Sequence, residues 1–174
     1  MPVSVGAFAD YQFFKHVREL AKNHGCRVLI PSGAVAGLDA ISAACLAEIE
    51  EVSHTTRKNP RSFTLAQLRG IKPREPTVVY DGPAQAGIKL FPDNVNVAAA
   101  VALAGVGMER TRLCVIADPT VDRNTHDVQV RGYFGTLRVV IENIPTGNPK
   151  TGRIVSLSIV KTLQKLSETV VIGT

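Results

Sequence analysis

Apolar residues first recur at helical spacing at Phe13, Phe14, Val17, Leu20 and Ala21, which predicts a helix with one apolar face. Asp10 stands where a helix start is capped and Gly25 where a helix ends. Ahead of it, Val3 to Gly6 reads as a short extended piece; behind it, Val28 to Ile30 reads as an apolar strand closed by Pro31. A glycine-rich turn over 32–37 then opens a second helix from Leu38 to about Glu50, with Asp39 favourable in its first turn. Glu51 to Arg57 alternates as a strand does. Lys58 to Pro76 holds three prolines and many bases, so it reads as a long surface loop with a helical turn near Leu65 to Leu68.

Further on, Thr77 to Tyr80 reads as a strand, and Ala84 to Leu90 and Asn94 to Ala104 as helices, the second small-sided and closely packed. Leu113 to Ala117, His126 to Arg131 and Phe134 to Glu142 read as strands, the last two joined by a hairpin turn at Gly132-Tyr133. Arg153 to Leu166 predicts a helix and Val170 to Ile172 a closing strand. Helices interspersed with hairpin-linked strands predict an α+β domain, a mostly antiparallel sheet with helices on one face, filling residues 1–174. An open sheet face of that kind suits the pairing of two copies.

Composition narrows this picture. The chain is 45% hydrophobic and 20% charged, which supports one packed core and argues against disorder. The most apolar run, Val95 to Val106, is too short to span a membrane, and no basic-then-apolar leader opens the chain, so a cytoplasmic location is expected. The net charge of +5 comes from scattered bases, with 5% aromatic residues and no stacking cluster, which speaks against nucleic acid and for a surface that draws in an anionic substrate. Cys26, Cys45 and Cys114 lie far apart in apolar stretches, as buried thiols in a reducing compartment would, and no Cys or His pair has zinc-like spacing. A cysteine nucleophile working with His126 is a minor alternative.

Four polar segments carry the candidate chemistry. At Pro31 to Asp39, Ser32, Gly33 and Ala34 form either a plain strand-to-helix turn or a cradle for a carboxylate or carboxamide. In Phe91 to Val97, Asp93 or Asn94 can cap the next helix, and Asn96 brings an amide into an apolar helix where a ligand amide would satisfy it. The third segment, Ala117-Asp118-Pro119 through Asn124-Thr125-His126, ends one strand and starts another. It places His126, the side-chain type whose ordinary pKa suits proton transfer, after a polar loop. In Asn148 to Thr151, Thr151 can cap a helix, and Lys150 either holds a carboxylate or is solvated. No Walker loop, GxSxG or HExxH is present, and Gly105-Val106-Gly107 follows a helix, so it is not a dinucleotide turn.

Taken in order, the four segments resemble the L-aspartate dehydrogenase family, and so do Val5 to Asp10, Thr55 to Lys58 and Arg131 to Gly135. The resemblance implies a catalytic and pairing domain like the C-terminal domain of glyceraldehyde-3-phosphate dehydrogenase, without the dinucleotide-binding domain that precedes it in the family. It implies oxidation of L-aspartate to iminoaspartate, and so to oxaloacetate and ammonia, with NAD or NADP, linked to NAD biosynthesis, in a homodimer. His126 matches the family's active-site histidine, and Ala34 and Asn96 match cofactor-contacting positions; Ser32, Gly33, Lys150 and Thr151 fall on the substrate side. Gly152 stands where the family pattern usually has Ser. On this reading the chain alone is inactive or weak, being either a truncated form or one subunit that works with a separate Rossmann domain. A non-enzymatic dimerisation or small-dicarboxylate-binding module is the alternative, and an unrelated basic binding protein a more distant one.

Overall fold

A computed structural model describes residues 1–92, 96–144, 146–147 and 152–173. Five strands form one sheet: β1 (Ile49–Lys58), β2 (Thr77–Pro83), β3 (Thr111–Ala117), β4 (Asn124–Gly132) and β5 (Gly135–Asn143), in the order β2-β3-β1-β4-β5. β1 and β3 run parallel; the other three pairings are antiparallel. The expected α+β class and mostly antiparallel sheet are therefore observed. The parallel pair is joined by a crossover that contains β2 and two helices, as parallel neighbours require.

The helices are α1 (Tyr11–Asn23), α2 (Leu38–Ala44), α3 (Ala84–Leu90), α4 (Asn96–Ala104) and α5 (Ile154–Gln164). Asp10 caps α1 by accepting from the Phe13 amide at 3.0 Å, as its position in the sequence implies. Phe14 and Val17 of its apolar face lean on the core. α4 is the central packing element: Ala98, Ala99, Val101 and Ala102 have no exposed surface, and their small side chains let the helix approach β1, β3, α2 and α3 closely. The inward side chains of the sheet alternate with outward ones along each strand, as the period of two demands: Val52, His54, Thr56 and Lys58 on β1, and Asn124, His126, Val128 and Val130 on β4, all face the covered side.

Several expectations need correction. Val28 to Ile30 and Val170 to Ile172 are not strands; each is three residues long and finds no edge to pair with. The second helix stops at Ala44 instead of about Glu50, because Ile49 to Lys58 is drawn into the centre of the sheet and β pairing overrides local helical pattern. Lys58 is not the start of a surface loop but the last residue of that central strand, 2% exposed. Cys26 is exposed, and Cys45 and Cys114 only partly covered, so the three thiols are not the buried set expected. The outward sheet face is mostly polar, carrying the ion pairs Arg131–Glu51 and Arg138–Asp127 in place of a broad apolar patch. No helix among the described residues is long and apolar enough to cross a membrane.

Candidate functional site

The inward face of the sheet changes character along its length. At one end Val52 faces Val130 across β1 and β4; toward the other the same two strands present His54, Thr56 and Lys58, then His126 and Asn124. β5 adds Asn143, in register with Asn124. Into this polar end come the irregular stretch before α2 and the first turn of α4, leaving a cleft of about 280 Å³. That volume sits near the lower limit of small-molecule sites, which run from about 300 to 1,000 Å³.

Ser32, Gly33, Ala34, Asn96 and His126, five of the seven residues singled out in the sequence, line this one cleft. Lys150 and Thr151 lie outside the described residues, as do Asp93 and Asn94. The arrangement modifies the reading of several. Gly33 has φ +64°, which its lack of a side chain permits, but its amide donates to Ser158 Oγ of α5 at 3.0 Å and so is not a free donor for a ligand. The carbonyl of Ala34 accepts from Asn143 Nδ2 at 2.9 Å, which ties the turn to β5. Asn96 Oδ1 accepts from Ser4 Oγ and from the amides of Val5 and Gly6 at 3.2 to 3.3 Å. Its acceptor end is thus used by the chain, and what it can offer a carboxamide is its NH2 group.

His126 is 3% exposed and meets a second histidine: its Nδ1 lies 3.2 Å from Nε2 of His54, itself 1% exposed. Burial, and then the adjacent His54 and the Lys58 ammonium, hold His126 well below the ordinary histidine range. Burial and then Lys58 push His54 down to about 3, against an opposing pull from Asp127. Both rings are therefore neutral near pH 7. The near-neutral pKa that first recommended His126 as a proton carrier is not its value here, because the site is dry and already cationic.

Among the described lining residues there is no carboxylate, and Lys58 is the ionised side chain. Three further residues were passed over in the sequence: His54, Lys58 and Asn143. The signal for the first two was strand parity, since both share the alternation of Val52 and so point inward. Asn143 carried no such signal, because it ends a strand whose neighbours are mostly exposed.

Asp118 has a structural part. Its carboxylate binds Arg57 Nη1 at 2.7 Å and accepts from the amide and hydroxyl of Thr120 at 2.8 and 2.6 Å. Burial pushes its pKa up, but these bonds from Thr120 and Arg57 outweigh it and hold the group ionised below the usual carboxylate range. Together with the Asp118 amide bonded to the Lys58 carbonyl at 2.8 Å, and Asn59 Nδ2 bonded to the Val121 carbonyl at 3.0 Å, this pins the loop over 118–122 against the end of β1 that carries Lys58. Gly152 also acquires a reason. A Cβ built there would lie 2.8 Å from Asn143 Cβ, so the glycine lets the start of α5 close over Asn143.

Comparison with known proteins supplies the context. The sequence model of the family described as "Aspartate dehydrogenase, C-terminal" matches residues 39–166. The whole chain aligns with an L-aspartate dehydrogenase of Methanocella arvoryzae at 45% identity and one of Methanosarcina barkeri at 46%, covering 67% of each. The crystal structure of aspartate dehydrogenase from Thermotoga maritima superposes with a TM-score of 0.80 at 32% identity, over 98% of this chain and 66% of that one. The chain thus spans about two thirds of the length of the relatives it matches.

Proposed function

The chain belongs to the family of aspartate dehydrogenase C-terminal domains, and from that premise we propose that it is the catalytic half of an NAD(P)-dependent L-aspartate dehydrogenase, oxidising L-aspartate to iminoaspartate. One observation carries the reading: His126, Asn96, Ala34 and Ser32, drawn from three distant segments, converge with Lys58 on a single cleft. An amino-dicarboxylate needs positive charge and hydrogen-bond donors, and Lys58 and the Asn96 amide are among the described lining residues.

The same residues fit the nicotinamide end of the cofactor. Asn96 has its NH2 to offer the carboxamide, and Val5, Val97, Ala100 and Val155 give the cleft an apolar wall for a flat ring. Bound there, the oxidised nicotinamide supplies the hydride acceptor. Lys58 and Ser32 orient the substrate carboxylates, with Lys150 and Thr151 as further substrate-side positions, and His126 holds the reacting nitrogen by a hydrogen bond while protons pass between it and the water that hydrolyses the imine. Pairing as a homodimer, a cytoplasmic location and supply of iminoaspartate to NAD biosynthesis go with this reading.

The described residues contain no glycine-rich phosphate turn, so the chain assayed alone is expected to turn over weakly. The test is formation of NADH or NADPH from L-aspartate at alkaline pH, with the chain alone, then with a separately expressed dinucleotide-binding half, and with His126→Ala as control. Activity that needs the added half and disappears in the variant supports the reading. Dicarboxylate binding by the folded chain without turnover in either arrangement overturns it in favour of a binding module.

A further inference from the structure

Behind His126, away from the cleft, lies a group that the proposed chemistry does not touch. His54 sits on the central strand β1 and reaches His126 Nδ1 with its Nε2 at 3.2 Å. Both rings are buried and tilted 35° to one another, with centroids 5.3 Å apart. Two nitrogens at this distance share one proton, which belongs either to His54 Nε2 or to His126 Nδ1.

The surroundings distinguish the two arrangements. His54 Nδ1 is buried and has no hydrogen-bond partner among the described residues. If His126 donates, His54 must carry its own proton on Nδ1, which creates a buried N–H with no acceptor. If His54 donates from Nε2, its Nδ1 is a bare lone pair, and the remaining proton of the pair sits on His126 Nε2, the nitrogen not engaged by His54. Folded proteins orphan a buried N–H more rarely than an acceptor, so the second arrangement is favoured.

We propose that His54 is a positioning residue for His126: it donates to Nδ1, holds the ring in one orientation and keeps the neutral imidazole as the tautomer with its proton on Nε2. His126 then enters the reaction as a neutral hydrogen-bond donor. It donates a hydrogen bond from Nε2 to the imine nitrogen, and the protons released by the attacking water pass to that nitrogen, which leaves as ammonia, so His126 neither gains nor loses a proton overall. Its ring never has to become a cation in a site that already holds the Lys58 ammonium. Neutrality also fits the depressed pKa values of both rings. The catalytic part of this inference rests on the proposed function; the tautomer does not.

Long-range nitrogen–proton spectra of the histidine rings in the intact chain decide the point. The expected result is the Nε2–H tautomer for both His54 and His126 at neutral pH. A proton on His126 Nδ1, or a rapidly exchanging mixture, overturns the proposal. In His54→Phe, which fills the space without a donor, His126 is expected to relax to a mixture of tautomers. In His54→Gln, whose amide NH2 can reach Nδ1, the single tautomer is expected to return. A His126 signal unchanged in His54→Phe overturns the positioning role; should that variant fail to fold, the native chain and His54→Gln still settle the tautomer.

In enzyme reconstituted with the dinucleotide-binding half, His54→Phe should lower kcat about tenfold or more with KM for aspartate little changed, and His54→Gln should recover most of it. That loss is a fraction of the roughly 10²- to 10⁴-fold that a positioned acid or base contributes. An Nε2–H tautomer in a chain that never oxidises aspartate would uphold the placement and refute only the assigned reaction.

Discussion

The two ends of one sheet face are buried to nearly the same degree and built from opposite materials. Val52, Val128 and Val130, under Val35, Ile41 and Val101, form a dry apolar layer. His54, Thr56, Lys58, Asn124 and His126, a few residues along the same strands, and Asn143 on β5 are each 5% exposed or less. Each fully buried valine, leucine or isoleucine side chain adds about 1.5 to 3 kcal/mol to stability. Buried polar groups add little net and cost the desolvation of any atom left unmatched. Two such atoms, His54 Nδ1 and Thr56 Oγ1, lie at the polar end. Thr111 Oγ1, opposite Val52, is a third, and nothing in the structure explains it. The apolar end holds the domain together, whereas the polar end gives up stability for a charged, donor-rich cleft.

That contrast can be broken from either side. His126→Ala should lower reconstituted aspartate oxidation by about 10²- to 10⁴-fold, with a stability loss of about 1 to 3 kcal/mol because buried His54 loses its hydrogen-bond partner. Ile41→Ala, at a position with no exposed surface, should cost stability and spare the chemistry. A loss of about 2 to 5 kcal/mol is expected, with kcat per folded molecule retained. At about 2 to 4 °C per kcal/mol for a chain of this size, calorimetry will resolve it readily. Equal loss of activity in both variants would erase the distinction between the two ends.

Acid should attack the polar end selectively. Both His54 and His126 have folded-state pKa values below the ordinary 6.5, so below that pH the unfolded chain binds protons that the folded chain refuses. Stability is therefore full above about pH 6.5 and falls as pH drops, by up to about 1.4 kcal/mol per pH unit for each histidine, down toward the folded value of about 3 for His54. Urea midpoints measured from pH 7 to 4.5 check this, and replacing His54 by Gln should flatten the slope. A slope that is the same in both chains would place the acid sensitivity elsewhere.

Two smaller perturbations sharpen the boundary. Gly152→Ser puts a Cβ against Asn143, which must shift and loosen its hold on the Ala34 carbonyl. A loss of about 1 to 3 kcal/mol, of the kind overpacking produces, is expected together with a raised KM for aspartate, read from melting and steady-state kinetics. Thr56→Val removes the unpartnered hydroxyl and keeps the shape. Melting should move by less than about 1 kcal/mol, and upward. A fall in activity without a fall in stability would instead give that hydroxyl a part in the chemistry.

Much of this molecule follows from its sequence read alone. The sequence reading placed all five strands to within a few residues, alternation marking Glu51 to Arg57, and Asp10, with the small-sided run at Asn94 to Ala104, announced α1 and α4. Ser32, Ala34, Asn96 and His126, which the resemblance carried over from separate motifs, line one cleft in the fold. What the sequence could not supply is what each of them meets. The Gly33 amide and the Asn96 carbonyl look available in the sequence, but the fold gives them to Ser158 and to residues 4–6. Lys58 looks like the first base of a solvated loop, until β1 is seen to run one residue further in the middle of the sheet. His54 looks like an ordinary strand residue until β4 brings His126 to 3.2 Å from it. Periodicity along the chain decides which way a side chain points, since that depends only on local backbone geometry. Which partner it finds, how buried the place is, and so whether a histidine is charged, depend on contacts between residues far apart in the chain, 72 positions for His54 and His126, and only the assembled sheet decides them.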